Sequence, residues 1–257
     1  MIKSIKQRLE DHETVRVFFI GPLANPKLIE MVGLAGGYHG VWIDQEHSAI
    51  PHQQTETLVL ASRAAGLDAF VRLAPTDYAT VMRPLETGAG GVMAAQIRTV
   101  EQVQQIVEWS FYPPTGNRGL YSGNYEARYG AADPKSQIEA ANRNRWLAIQ
   151  IETLEAVDHV EQIAALDGVD CLFVGPGDLS AVLGVPGQVT HPKSIAALEK
   201  IGAAAQAAAK PWGILARSAE HATTCRELGC RLFSLSGDVD FFNRGIRAVK
   251  QAYKDLF

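Results

Sequence analysis

The sequence holds little of what marks several large classes of protein. Only three cysteines, Cys171, Cys225 and Cys230, occur in 257 residues, and they form no CxxC pair. An odd, sparse set suits a reducing cytoplasm rather than a disulfide framework. No run of 18 apolar residues occurs, so no transmembrane helix is expected. The opening segment, "MIKSIKQRLEDHETVRVFF", lacks the apolar centre of a signal peptide and reads as a polar helix leading into a strand. Basic residues number 24 against 28 acidic ones, for a formal charge of -4, and no basic block or stripe appears. Nucleic-acid binding therefore has no support. No HExxH metal motif occurs. The segment "IGPLANPK" after the first apolar run is not the GxGxxG of a dinucleotide-binding sheet, so no organic cofactor is expected.

What is present is an ordinary globular mixture, 47% hydrophobic and 20% charged, with ample apolar material for a core. Eight short apolar runs recur along the chain. They are "VRVFFI" (15–20), "GVWID" (40–44), "AFVRL" (69–73), "GVMAA" (91–95), "LAIQIE" (147–152), "DCLFVG" (170–175), "WGILAR" (212–217) and "LFSLSG" (232–237). Each is bounded by Gly, Pro or charge, as strands buried on both faces are. Helical patterns lie between them. "PKLIEMVGLAG" follows the first run, "PHQQTETLVLASRAAG" the second, with Pro51 in a first-turn position, and "TDYATVMRPLETG" the third. Further helices are expected over 154–165, 192–209, 218–228 and 240–253. Eight strand–helix units within ~250 residues predict an α/β fold, a single-domain (β/α)8 TIM barrel over 1–257 with an N-terminal helix. One stretch breaks the rhythm. "FYPPTGNRGLYSGNYEARYGAADP" (111–134) joins the fourth unit to the fifth and carries four tyrosines, Arg118 and Arg128. A loop of this length is expected to close on the site or on a neighbouring subunit.

In such a barrel the chemistry gathers at the C-terminal ends of the strands. The second strand ends with Asp44, Glu46 and His47, and the third carries Arg72. The fourth ends near Gln96, the fifth carries Gln150 and Glu152, the sixth ends in "GPGDLS" with Asp178, and the eighth in "SGD" with Asp238. Plainer readings exist for each. Asp178 and, more so, Asp238 can be helix caps. Arg72 and Glu152 can form a structural ion pair, and His47 can be a satisfied histidine at a helix start. Together the acids, the histidine and the arginine point to one shared pocket. Two carboxylates without a cysteine cluster suit Mg2+ or Mn2+, which complete an octahedron with water and substrate oxygens. None of the nine lysines falls in a predicted strand or at its C-terminal end. A Schiff-base aldolase needs such a lysine, so carbanion chemistry here calls for a metal.

"GVWIDQEH", "VRL", "IQIET" and "FVGPGDLSA", in this order and spacing, resemble the HpcH/HpaI aldolase family. The likeness runs from "GPLANPKLIEMVGLAGG" to "SGDVDFF" and includes "PPTGNRG". The resemblance implies a class II aldolase, a carbon–carbon lyase that reversibly cleaves a 4-hydroxy-2-oxo acid to pyruvate, or a related 2-oxo acid, and an aldehyde. It implies a divalent cation, Mg2+, Mn2+ or Co2+, held by Glu152 and Asp178. It gives Arg72 the pyruvyl group, His47 the proton, and Asp44 a supporting role beside His47. It places Gln150 and the turn Gly175, Pro176, Gly177 and Asp178 around the oxo acid. It also implies a cytoplasmic homo-oligomer, a hexamer built as a trimer of dimers that exchange their last helix. Two alternatives stand beside this reading. One is a citrate-lyase-like enzyme acting on an acyl-CoA thioester. The other is a barrel that binds a metal and an oxo acid without turnover. Three features depart from the family pattern. Glu86 stands where many members carry the aspartate that approaches a neighbouring subunit's histidine. Ala95 and Gln96 replace "VP" and an apolar residue. The first strand lacks a frequent Trp.

Overall fold

The computed structural model describes residues 2–257. Its eight strands are β1 (Val15–Ile20), β2 (Gly40–Asp44), β3 (Asp68–Leu73), β4 (Gly91–Ala94), β5 (Trp146–Ile151), β6 (Cys171–Val174), β7 (Trp212–Leu215) and β8 (Leu232–Gly237). They close a barrel in chain order, and every neighbouring pair is parallel. The expected strands match these within a few residues at each end.

The core has two layers because successive strand side chains alternate between the barrel interior and the helices outside. Val17, Trp42, Phe70, Met93, Trp146, Ala148, Phe173 and Leu232 pack together inside. The outward residues pack beneath the helices in two larger clusters. The short helix Ile5–Glu10 adds Ile5 and Leu9 to the interior cluster, and so closes the N-terminal end of the barrel. Its Ile5 N–H donates to Asp68 at the start of β3, at 2.7 Å.

The helix expected over 154–165 is two, Leu154–Asp158 and Val160–Ala165, which meet at His159. The backbone of His159 (ψ 12°) leaves the helical region, so the chain turns there. Helix Pro134–Asn144, inside the fourth connection, buries only Gln137 and Ala141. It therefore carries no apolar stripe for a sequence reading to find.

The rest of that connection lies on the outside of the barrel, over helix Tyr78–Glu86. The Gly119 N–H donates to the Tyr78 hydroxyl at 2.7 Å, and Asn124 Nδ2 donates to Glu86 at 3.1 Å. Glu126 is buried between Arg118 (2.6 Å) and Arg145 (2.8 Å), whose charges hold its carboxyl below the usual range against the opposing effect of burial. No hydrogen bond or ion pair among the described residues ties this loop to Asp44, Arg72, Glu152 or Asp178. Within one chain the loop packs on helix Tyr78–Glu86 rather than on those four residues.

The cap expected at Asp238 is corrected. It is not a cap but the first residue of helix Asp238–Ala252, after the capping Gly237. Its buried carboxylate accepts the Gly21 and Leu23 N–H groups, both at 2.8 Å, and fastens the end of β1 to the end of β8.

Candidate active site at the barrel mouth

The alternation that builds the interior also delivers the site. Two residues beyond interior Trp42 comes Asp44; beyond Phe70 comes Arg72; beyond Ala148 come Gln150 and then Glu152; beyond Phe173 comes Gly175. Where the apolar filling ends, the same inward face becomes polar. Asp44, Arg72, Gln150 and Glu152 are all buried there.

Arg72 is gripped from one side. Its Nε donates to Asp44 Oδ1 at 2.8 Å, and its Nη1 lies 3.1 Å from Glu46 Oε2. Its guanidinium stands over the Trp42 ring at 4.7 Å, a cation–π contact. The structural pairing with Glu152 is not formed. Asp44 also accepts the Glu46 N–H (3.1 Å) and the Ser48 hydroxyl (3.3 Å). His47 sits at the rim with its side chain 61% exposed, and its Nε2 is 3.7 Å from Glu46 Oε2. Among the described residues the carboxylate nearest His47 is that of Glu46. Glu46 was visible in "DQEH", but it lies past the strand, where alternation no longer says which way a side chain faces.

Glu152 is the most perturbed acid of the site. Burial first, then the charges of Glu46 and Asp178, push its carboxyl up to about 7, against hydrogen bonds that favour its charged form. Oε1 accepts the Gln96 N–H at 3.0 Å and its side-chain Nε2 at 3.1 Å; Oε2 accepts from Gln150. Gln96 can turn both groups onto one oxygen because its backbone adopts φ 57°. Asp178 and Glu152 line one cavity of about 300 Å3, with Gln96 and the ion-paired Arg98 and Glu155 on its border. Asp178 is in the first turn of helix Pro176–Val182, which Gly175 caps without a side chain. It makes no hydrogen bond or ion pair among the described residues, so it is not acting as a cap.

Gly175 leaves room for the ends of the Glu152 and Gln150 side chains. A Cβ there would lie 2.6 Å from Gln150 Nε2 and closer still to Glu152 Oε2. Gly175→Ala should therefore displace the Glu152 carboxylate. The affinity for any divalent cation that Glu152 holds should then fall about 10–100-fold, the usual effect of disturbing groups that orient metal ligands. Calorimetric titration of metal would show it, and unchanged affinity would refute the cradle.

The charge balance decides what the mouth can hold. The carboxylates of Asp44, Glu46, Glu152 and Asp178 gather here, and the two arginines near them are already paired, Arg72 with Asp44 and Glu46 and Arg98 with Glu155. No group of three or more His, Cys, Asp or Glu residues suited to a metal occurs among the described residues. The remaining donors are oxygens: two carboxylates free of basic partners, and the Gln150 Oε1, which is buried without a hydrogen bond. Such a set fits a hard divalent cation that takes its other ligands from water and substrate.

Glu86, at the end of helix Tyr78–Glu86, is not among these residues. It is held by Asn124 and lies 4.0 Å from Arg118, on the outer helical layer. Among the described residues of one chain no hydrogen bond or ion pair links it to His47.

The comparisons with known proteins agree with this architecture. The HpcH/HpaI aldolase/citrate lyase family model matches residues 16–244. The 5-keto-4-deoxy-D-glucarate aldolase of Klebsiella pneumoniae subsp. pneumoniae is 32% identical over 234 residues, 90% of each chain. Among solved structures, an HpcH/HpaI aldolase/citrate lyase family protein from Burkholderia cenocepacia superposes with a TM-score of 0.90 at 33% identity, covering 98% of this chain and 99% of that one. The citrate synthase SbnG superposes with a TM-score of 0.87 at 28% identity, covering 98% of both. The chain belongs to the HpcH/HpaI aldolase/citrate lyase family and is a carbon–carbon lyase.

Proposed function

We propose that this lyase reversibly cleaves a 4-hydroxy-2-oxo acid to pyruvate, or a close 2-oxo acid, and an aldehyde, with a divalent cation held by Glu152 and Asp178. The observation that carries the reading is the meeting of those two carboxylates in one cavity, neither of them held by a basic side chain among the described residues. The similar Klebsiella aldolase is named for a keto-deoxy sugar acid, which supports an oxo acid substrate.

Each residue has a part. Arg72 binds the oxo acid's carboxylate or ketone edge through its planar fork, held in place by Asp44 and Glu46. Gln150 and the Gly175–Pro176–Gly177–Asp178 turn shape the space around the same group. His47 takes the proton of the C4 hydroxyl on its imidazole as the C3–C4 bond breaks. The electron pair stays on C3, the aldehyde departs, and His47 returns the proton to C3. The cation, when bound, supplies electrostatic stabilisation for the negative charge that develops on the ketone oxygen. Mg2+, Mn2+ and Co2+ all suit the oxygen donors.

Turnover of pyruvate with simple aldehydes, with and without chelator, tests this reading directly. Activity that chelator leaves intact would defeat it. The strands contain no lysine. Borohydride added with pyruvate should therefore trap no covalent adduct, and a mass gain matching a reduced Schiff base would overturn the metal-based assignment.

We also propose a homo-oligomer, with the resemblance pointing to a trimer of dimers. Helix Asp238–Ala252 buries only Asp238 and leaves Phe241, Phe242, Ile246 and Val249 exposed, a face suited to another copy of the chain. Glu86 would then serve a neighbour's His47 rather than its own. Light scattering that returns the 27.9 kDa of one chain would refute assembly. A cytoplasmic location is consistent with three buried, unpaired cysteines. No helix among the described residues is long and apolar enough to cross a membrane.

A further inference from the structure

A carboxylate has about four lone-pair positions, two on each oxygen. On Glu152 most of them are taken by N–H groups of this chain. Oε1 accepts twice from one residue, from the Gln96 main-chain N–H at 3.0 Å and from the Gln96 side-chain Nε2 at 3.1 Å. Oε2 accepts once, from Gln150. No other hydrogen bond reaches Glu152 among the described residues. Three of about four positions are therefore filled, and the open one is on Oε2.

Gln96 is fixed in this task by its neighbours. β4 ends at Ala94, between β3 and β5. The Ala95 N–H donates to Leu73 O at 2.9 Å, which ties the residue before Gln96 to the end of β3. The buried Thr153 hydroxyl donates to Ile97 O at 2.7 Å, which ties the residue after it to the chain leaving β5. Gln96 between them takes φ 57° and brings both its donors onto Oε1. It stands where the family pattern carries an apolar residue, and an apolar side chain has no donor to give. Across the same cavity of about 300 Å3, Asp178 makes no hydrogen bond or ion pair among the described residues, so its two oxygens are open.

The number of open oxygens decides which cation such a site prefers. Mg2+ and Mn2+ favour an octahedral set of oxygens, with one or two carboxylates and the rest water or substrate. Ca2+ takes roughly six to eight oxygens and commonly grips a carboxylate by both of them. We infer that Gln96 is a positioning residue that makes Glu152 a one-oxygen ligand, and that it thereby selects Mn2+ or Mg2+ over Ca2+. The inference rests on the reading of Glu152 and Asp178 as the holders of the cation, and adds which cation their setting prefers.

Calorimetric titration of chelator-treated protein at pH 8 with Mn2+ and with Ca2+, without substrate, tests it. Wild type should bind Mn2+ more tightly than Ca2+. Gln96→Gly suits the positive φ and keeps the main-chain N–H, so it opens one position on Oε1 and leaves the backbone in place. The ratio of Mn2+ to Ca2+ affinity should fall about tenfold or more, within the range that partners of metal ligands are worth. Gln96→Met fills similar space without a donor and should lower the ratio as well. A role in packing alone gives another pattern: the glycine variant would weaken both cations alike, the methionine variant would behave as wild type, and the ratio would stand in both. A ratio that stands in either variant, or a wild type that prefers Ca2+, overturns the inference while the metal site survives. A wild type that binds neither cation defeats the metal site, and the inference falls with it.

Discussion

Glu152→Gln should abolish metal-dependent cleavage and yet give a metal-free protein that melts no lower than the wild type. The loss in kcat/KM should be at least about 10³-fold, because a metal that stabilises developing charge is worth several kcal/mol. The stability gain follows from the same carboxylate. Its pKa in the folded protein, about 7, lies above its ordinary 4.5, so the folded state binds this proton more tightly than the unfolded chain does. The favourable contribution of Glu152 is full below pH 4.5 and is lost as pH rises to 7. Above pH 7 the buried charge costs up to about 3 kcal/mol, the equivalent of that displacement. An amide removes the cost. It also fits the surrounding hydrogen bonds, since Gln150 Oε1 is unpartnered and can accept from the new amide once Gln150 turns over. In chelator at pH 8 the variant should therefore melt several degrees higher, and the gap should close on acidification. Metal should do in the wild type what the amide does in the variant, with affinity that strengthens as pH rises through 7. A variant that melts well below the wild type in chelator at pH 8 would mean that Glu152 is a structural residue, and the metal site would go with it.

Much of this was readable from the amino acids, for a physical reason. A parallel barrel imposes a period of two on each strand, and that period runs on to the strand's end. Once Trp42, Phe70 and Ala148 are recognised as interior, Asp44, Arg72 and Gln150 must face the same way, whereas Glu152, one residue past β5, was found through the "IQIET" motif. Asp178 was found through its motif rather than its period, since it belongs to a helix turn.

What could not be read lies beyond the last strand hydrogen bond. Glu46 reaches Arg72 and His47 because Asp44 accepts its N–H and turns the chain, an interaction that sequence spacing does not encode. Gln96 was noticed as a polar residue at the mouth. Its hold on Glu152 by both main chain and side chain depends on a positive φ that a non-glycine residue does not advertise. The long loop has no period at all. Its course is set by the buried Glu126 between two arginines, a contact across distant residues.

His47 and Arg72 should be separable by kinetics and by melting together. His47 is mostly exposed, so His47→Ala should change stability by no more than about 0.5 kcal/mol. Its effect should fall on kcat, by about 10²–10⁴-fold, the usual worth of general acid–base catalysis. Arg72 has the opposite profile. It is buried against Asp44 and Glu46, so Arg72→Ala strands two carboxylates and should cost about 3–5 kcal/mol. Arg72→Lys keeps one charge but cannot reach both carboxylates and an oxo acid at once; it should raise KM for the oxo acid, lower kcat, and melt between wild type and Arg72→Ala. Proton exchange of pyruvate, measured without aldehyde, isolates the half-reaction they share. Slow exchange in His47→Ala at saturating pyruvate, with normal melting, assigns the proton to His47. In Arg72→Lys, extra pyruvate should recover part of the exchange, because the defect there is partly in binding. Wild-type exchange and cleavage in His47→Ala would leave the imidazole as a rim residue only. The proton would then have to travel by another group at the mouth, and the mechanism drawn from these residues would be wrong.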